Sequence, residues 1–162
     1  MKRITFYLDV VSPYAWLAFE RLPEVLEGLS YSVEYRPVLF AGLLEHWGQK
    51  GPAEIAPKRD WTYRHVSWLA AQRSIRLDMP AAHPFNPLAL LRLIVAAGAN
   101  RRTVELAMHH VWQGGADAND AARLAALRER MAPARDPQDS AVKEELRANT
   151  QAAVAQGVFG VP

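Results

Sequence analysis

Residues 3–14 read Arg-Ile-Thr-Phe-Tyr-Leu-Asp-Val-Val-Ser-Pro-Tyr. The β-branched and aromatic side chains of the first part predict a strand over residues 3–11. Ser12 is a preferred helix N-cap, and Pro13 is tolerated at the first helical position because its missing N–H would be unpaired there. The stretch therefore predicts a strand that turns directly into a helix, which Pro23 should end or kink near Leu22.

A second strand is predicted over residues 31–39, where apolar and polar residues alternate loosely. Two strands joined by one helix form a βαβ unit. The strands of such a unit are expected to be parallel, with a right-handed crossover.

The rest of the chain predicts helices and no further strand of the main sheet. Helical periodicity, caps and prolines mark each segment. The segments are residues 41–47, 58–73, 88–97 and 101–112, a helix from Asn119 or Asp120 to Met131, and a helix from Asp139 or Ser140 that Gly157 terminates. Because two strands make a marginal sheet, either the helices complete the core or the fold continues beyond Pro162.

Composition excludes several classes of protein. Of the 162 residues, 50% are hydrophobic and 22% are charged, which predicts one folded domain rather than a disordered chain. The absence of cysteine excludes disulfides, thiolate metal sites and a cysteine nucleophile. The formal net charge is +2 with scattered basic residues, which argues against a nucleic-acid partner. No apolar stretch is long enough to span a bilayer, so a cytoplasmic protein is expected.

Ser12 is the first candidate for a functional side chain. Ligands of open α/β sheets bind beyond the carboxyl ends of the strands, and a helix N-terminus at that edge favours an anion. The simpler interpretation is that Ser12 only caps the helix. Lys58, which follows a loop rich in proline and glycine, is either a cation for an anionic ligand or a solvated surface lysine, and Lys50 and Arg59 compete with it for that role.

Aromatic and histidine residues are abundant but ambiguous. Four side chains are candidates for an aromatic pocket, although core packing explains most such residues: Trp61, Tyr63, Trp68 and Trp112. The histidines lack the spacing of a metal motif, since the neighbours His109 and His110 face different directions on a helix. No metal site is therefore expected.

Several segments together resemble one group of enzymes. They are residues 6–14 (Phe-Tyr-Leu-Asp-Val-Val-Ser-Pro-Tyr), Lys58-Arg59, residues 84–87 (Pro-Phe-Asn-Pro), Val111-Trp112, and residues 139–162 with their end Gly-Val-Phe-Gly-Val-Pro. In this order and spacing they resemble the 2-hydroxychromene-2-carboxylate isomerases and the related kappa-class glutathione transferases.

That resemblance implies an α/β, thioredoxin-like fold with a large all-helical insertion. Residues 1–38 would form a thioredoxin-like βαβ part, residues 39–156 the helical insertion, and residues 157–162 the return to the thioredoxin-like part. The C-terminal strands of the fold are expected after Pro162 and are missing from this sequence. Ser12-Pro13-Tyr14-Ala15 lies where thioredoxin-like disulfide oxidoreductases carry a C-x-x-C pair.

The resemblance also implies a glutathione cofactor whose sulfur meets the hydroxyl of Ser12, the catalytic group. Val161, just before a cis Pro162, would pair its backbone with the cysteinyl part of glutathione. Lys58 would contact an anionic group of glutathione or substrate. The further substrate-binding residues implied are Tyr14, Asn86 and Trp112, although Asn86 is equally typical of a turn. The loop at residues 48–52 departs from the pattern of relatives, which often carry Asn where Gln49 stands.

A glutathione-dependent isomerase is therefore the expected function. It would convert 2-hydroxychromene-2-carboxylate, a small aromatic 2-oxo acid, to trans-o-hydroxybenzylidenepyruvate in the breakdown of aromatic hydrocarbons. The alternatives are a kappa-class-like glutathione transferase, and a non-catalytic glutathione-binding protein if the chain ends at Pro162. Relatives suggest a homodimer, and neither a nucleic acid nor a membrane is expected as a partner.

Overall fold

A computed structural model describes residues 1–162 as two parallel strands and seven α-helices. The strands are β1 (Lys2–Leu8) and β2 (Tyr31–Pro37). The helices are α1 (Pro13–Val25), α2 (Phe40–His46), α3 (Ala56–Gln72), α4 (Leu88–Ala96), α5 (Arg101–Trp112), α6 (Ala121–Met131) and α7 (Ser140–Ala155), with a 3₁₀ turn at Pro52–Glu54. The predicted parallel βαβ start is confirmed, and so is the helical remainder without a further strand of the sheet.

Three aromatic rings fix α1 across one face of the sheet. Phe6 of β1 lies opposite Tyr35 of β2 in the parallel register, with ring centroids 5.9 Å apart. The ring of Phe19 in α1 packs edge-on against both, at 6.4 and 5.8 Å. Aromatic pairs of this kind add about 0.5–1.5 kcal/mol beyond the area they bury, so this cluster stabilises the packing of α1 on the strands.

The helix α1 runs through Pro23 and ends at Val25, so the predicted end of the helix near Leu22 is wrong. A proline has no N–H to donate to the carbonyl of Phe19, four residues earlier. The guanidinium of Arg101, at the start of α5, donates to that carbonyl at 2.9 Å, and its Cζ lies 3.7 Å from the centroid of the Phe19 ring. An external donor thus replaces the missing helical hydrogen bond, and the helix continues to Val25.

The two faces of the sheet contribute to different parts of the core. Phe6 and Leu8 belong to the larger apolar cluster, which they form with α1 and the helices α3 to α6. Tyr7 points to the opposite face because side chains alternate along a strand. There it packs against a smaller cluster that contains Leu43 of α2 and Ala153 of α7. The last residues of the chain are held beside this second cluster.

The face of α3 that carries Trp61, His65 and Trp68 is not the face that packs on the core. Trp61 and Trp68 are 56% and 57% exposed, and both stack on His65 with ring centroids 4.6 and 6.2 Å away. The buried face carries smaller side chains with the same spacing of four residues: Thr62, Val66 and Ala70. Core packing therefore does not explain Trp61 and Trp68. The smaller residues face the neighbouring α1 instead.

The helix α4 is the most apolar element and packs between α5 and α7. One set of its side chains joins the larger cluster, and Leu91 and Val95 pack against Val142 and Leu146 of α7. Arg92 is the one charged residue in this nine-residue helix. Among the helices of the chain, none has both the length and the apolar character that crossing a bilayer requires.

Candidate functional site

A cavity of about 540 Å³ opens in front of the N-terminus of α1. Its walls are the β1–α1 loop, α2, the loop before α3, the first turns of α3, residues 83–85 with Pro87, and residues 159–161. It therefore lies beyond the carboxyl ends of the two parallel strands, where ligands of α/β sheets bind. Its volume falls within the range of about 300–1,000 Å³ that small-molecule sites occupy.

Ser12 caps α1 as predicted and faces this cavity. Its Oγ accepts a hydrogen bond from the Ala15 N–H at 3.2 Å. The hydroxyl oxygen lies 3.4 Å from the carbonyl oxygen of Val161, so a hydrogen bond donated to that carbonyl is weak. The predicted proximity of Val161 to Ser12 is thereby confirmed, and the bond between Val161 and Pro162 is cis. The hydroxyl proton can turn to a better acceptor that enters the cavity.

Two side chains from the helical region hold the carbonyls that precede this N-cap. Nε1 of Trp112 donates to the Val10 carbonyl at 3.0 Å, and Nε2 of His83 donates to the Val11 carbonyl at 2.7 Å. Because Nε2 carries the proton, Nδ1 of His83 accepts from the Tyr63 hydroxyl, at 2.7 Å. Burial lowers the pKa of His83, which keeps the imidazole neutral for this arrangement. Tyr63 and His83 also line the cavity.

Asp9 is fully buried behind the same loop. Its Oδ1 accepts from the Val11 N–H at 3.0 Å, and its Oδ2 accepts from the Phe40 N–H at 2.9 Å. The carboxyl group therefore ties the β1–α1 loop to the start of α2, and these are two walls of the cavity. Burial raises the pKa of Asp9 to about 7, against the lowering effect of the two backbone hydrogen bonds.

Sequence analysis missed both Asp9 and His83. A signal for Asp9 exists, because it is an acidic residue between the apolar residues Leu8 and Val10 at the end of a buried strand. Such a charge is rare inside a core unless hydrogen bonds satisfy it. His83 carries no comparable local signal, since its partners Tyr63 and Val11 are 20 and 72 residues away.

Positive charge reaches the cavity from the loop before α3 and from α3 itself. Lys58 lines the cavity together with Ser12, as predicted, and Lys50 joins it. Neither lysine forms an ion pair. The carboxylate of Glu54 also lines the cavity, but it accepts from the Gly51 N–H at 2.7 Å and braces the loop. The lining thus favours an anionic ligand.

Aromatic side chains supply much of the remaining lining. Tyr14 faces the cavity, with its hydroxyl 2.8 Å from Nδ1 of His65, and burial raises its pKa. The other aromatic lining residues are Phe40, Tyr63, Phe85 and Phe159. Of the four aromatic candidates that the sequence offered, Tyr63 alone reaches the cavity. A flat ligand can stack on these faces.

Three predicted site residues do not line this cavity. The expected position of Trp112 at the cleft is corrected: the side chain is 0% exposed, and its N–H serves the Val10 carbonyl behind the wall. Asn86 is exposed and forms a turn in which its Oδ1 accepts from the Leu88 N–H at 3.0 Å. Pro162 lies just outside the lining, next to Val161.

The spacing of the histidines along the sequence predicts no metal site, but the fold brings together one group of side chains that could bind a metal ion. Side-chain atoms of Glu20, Glu105 and His109 lie within 4.8 Å of one another on the α1 and α5 surfaces. Arg101 lies 3.7 Å from the Glu105 carboxylate and neutralises part of its charge. None of the three side chains lines the cavity.

Comparison with known proteins identifies the family of this chain. The sequence model of the DSBA-like thioredoxin domain matches residues 3–162. A 2-hydroxychromene-2-carboxylate isomerase of Sphingobium xenophagum is 29% identical over 171 residues, which cover 99% of this chain and 87% of that protein. Glutathione S-transferase kappa 1 of Rattus norvegicus is 25% identical over 178 residues, which cover 98% of this chain and 78% of the transferase.

A solved structure of 2-hydroxychromene-2-carboxylate isomerase superposes with a TM-score of 0.86 at 23% identity. The superposition covers 99% of this chain and 83% of that one, and it shows that the fold is shared. The resemblance stated from the sequence motifs and the thioredoxin-like fold class are confirmed. The chain is thus related to isomerases and to glutathione transferases.

Proposed function

This chain belongs to the DSBA-like thioredoxin domain family, and we propose that it is a glutathione-dependent isomerase of 2-hydroxychromene-2-carboxylate. The observation that carries the proposal is the Ser12 hydroxyl. It sits at the N-terminus of α1, faces a cavity with free cations, and has only a weak acceptor in the protein. The names of the relatives supply the reaction class.

The residues of the cavity fit glutathione, a tripeptide with two carboxylates and one thiol. Neither Lys50 nor Lys58 forms an ion pair, so Lys50 is available for a glutathione carboxylate and Lys58 for an anionic group of glutathione or of the substrate. The Val161 N–H donates to no group of the protein, so an extended peptide can pair with it as an added strand does. In the proposed division of the chain, the thioredoxin-like part (residues 1–38 and 157–162) supplies Ser12 and Val161. The helical insertion (residues 39–156) supplies the two lysines.

Ser12 would hold the glutathione sulfur in its anionic form. A hydrogen bond to the thiolate and the positive end of the α1 dipole both favour the charged form, and so lower the thiol pKa. When bound, glutathione supplies the thiolate nucleophile for reversible addition to the conjugated substrate, during which a former double bond can rotate. Lys58 would orient the substrate carboxylate, and the Tyr14 and Phe85 rings would stack on its flat ring.

A kappa-class-like glutathione transferase is the second candidate. The kappa relatives cover nearly the whole chain, which favours this activity over functions unrelated to glutathione. Ser12 would act in the same way, but the glutathione adduct would be released as the product. An assay with 2-hydroxychromene-2-carboxylate and one with a chloronitrobenzene acceptor separate the two activities.

The test compares the protein with Ser12→Ala and with a matched cap variant, Asp120→Ala. Asp120 caps α6 by accepting from the Arg123 N–H at 2.9 Å, and it lies outside the cavity lining. Both variants lose an N-cap, which costs about 0.5–2 kcal/mol of stability. We expect glutathione-dependent kcat/KM to fall about 100-fold in Ser12→Ala, the usual cost of one charge-stabilising donor, and to stay unchanged in Asp120→Ala.

Ultraviolet absorbance of the bound thiolate, followed against pH, gives an independent readout. Its apparent pKa should rise in Ser12→Ala. Full glutathione-dependent turnover in Ser12→Ala would overturn the role of this hydroxyl. Saturable glutathione binding without isomerisation or transfer would instead identify a binding protein and exclude the proposed isomerase.

A further inference from the structure

A second cavity, of about 420 Å³, lies between α2, α4 and α7. It meets a different face of α2 from the candidate site, since Gly42 and Glu45 line it while Ala41 and Leu44 line the first cavity. Its other notable residues are the cations Arg92, Lys143 and Arg147 and the apolar Leu39, Leu88 and Leu146. Three positive charges and one carboxylate thus surround a single small space.

These positive charges have no partners in the protein. No carboxylate lies within 4.0 Å of Arg92, Lys143 or Arg147, and Glu45 is likewise unpaired. Lys143 and Arg147 are four residues apart on α7, which places two like charges side by side on one helix face. A third cation then faces them from α4. An anion between them would remove this repulsion.

Arg92 gives a second and independent observation. Its Nε is shielded from water and has no hydrogen-bond partner. A buried N–H donor without an acceptor is costly, and more so when the group is charged. Arg92 also interrupts an otherwise apolar helix, between the buried residues Leu91 and Leu93. Arg92 therefore lines this cavity with at least one donor, its Nε–H, that no group of the protein accepts.

We propose that this second cavity binds a small dianionic oxyanion, the class that includes phosphate monoesters and dicarboxylates. Three cations against one carboxylate leave two positive charges to neutralise. The two guanidinium groups offer planar forks, which match carboxylate and phosphate oxygens. The leucine side chains accept a short apolar portion, and the cavity volume suits a small molecule. This site is separate from the candidate glutathione site and does not depend on the proposed function.

The experiment titrates the isotope-labelled protein with inorganic phosphate and, separately, with succinate, at constant ionic strength with chloride as the reference anion. Backbone amide shifts report the location. We expect the amide shifts near Gly42 and Thr150 to change saturably on addition of phosphate only, of succinate only, or of each of the two in its own titration. Each of these three results supports a dianion site and identifies its chemical source.

Four variants test the assignment. Arg92→Gln and the exposed Arg147→Gln should each raise Kd about tenfold, the loss of one charge-assisted contact. Arg102→Gln removes the same charge from an exposed, unpaired arginine on α5 and should leave Kd unchanged. Glu45→Gln removes the single carboxylate and should lower Kd.

Two results would overturn the proposal. One is a linear, unsaturable response that Arg92→Gln, Arg147→Gln and Arg102→Gln leave equally unaffected. The other is saturable binding whose shifts cluster around Ser12 and Lys58, with no effect of Arg147→Gln. Because Arg147 is exposed, its variant keeps the test valid if Arg92→Gln fails to fold.

Discussion

Replacing Asp9 by asparagine changes the one buried acidic side chain of the chain without changing its size. In the folded protein, both carboxylate oxygens accept backbone N–H groups, from Val11 and Phe40. An asparagine has one oxygen, so its amide nitrogen would face one of these donors. The variant therefore leaves one buried N–H without an acceptor, which costs about 1–3 kcal/mol at every pH.

The same substitution removes a pH-dependent cost. The carboxyl group of Asp9 ordinarily has a pKa of 3.8, and burial raises it to about 7 in the folded protein. The folded state thus keeps a proton that the unfolded chain releases, so this contribution to stability is complete below pH 4 and is lost as the pH rises to about 7. At about 1.4 kcal/mol per pKa unit, the full loss is about 4 kcal/mol, of which about 2–3 kcal/mol falls between pH 5 and pH 8.

Urea unfolding of the wild-type protein and of Asp9→Asn at pH 5 and pH 8 measures this effect. The free energy of unfolding of the variant, relative to wild type, should rise by about 2–3 kcal/mol from pH 5 to pH 8. Contributions from groups that the substitution leaves unchanged cancel in this difference. Asp60→Asn, at an exposed position of α3, is the control and should stay within about 0.5 kcal/mol of wild type at both pH values. A difference between Asp9→Asn and wild type that is equal at pH 5 and pH 8 would refute the burial argument.

Two further substitutions test how the fold supports the site. Arg101→Met leaves the Phe19 carbonyl without a donor and should lower the free energy of unfolding by about 2 kcal/mol, whereas Arg102→Met should change it by less than about 0.5 kcal/mol. Equal effects in urea unfolding would contradict the role of Arg101 beside Pro23. Trp112→Phe removes the donor to the Val10 carbonyl and part of a fully buried ring, so we expect a loss of about 2–4 kcal/mol in the same assay. A loss below about 1 kcal/mol would mean that this hydrogen bond does not hold the loop.

Local patterns predicted the parts of this protein that depend on neighbouring residues. Ser12 and Asp120 cap their helices because a short side-chain acceptor reaches an N–H only three residues away. Gly157 ends α7 in the left-handed conformation, at a φ of +75°, which glycine adopts without strain. Motifs along the chain also led to Lys58 and Val161, because their order and spacing match those of a known family.

Contacts between distant segments determined the rest, and no local pattern contains them. Helical periodicity reveals an aromatic stripe on α3, but which face of a helix is buried depends on the elements that pack against it. Trp61 of α3 is therefore exposed, whereas Trp112 of α5 is buried. The network of Asp9, His83 and Tyr63 around the Ser12 loop forms only when segments far apart in the sequence meet. A hydrogen bond to a backbone carbonyl requires no particular residue type at the acceptor, so the sequence carries no mark of where such bonds form. The tertiary packing of the helices against the strands brings the donor side chains to those carbonyls.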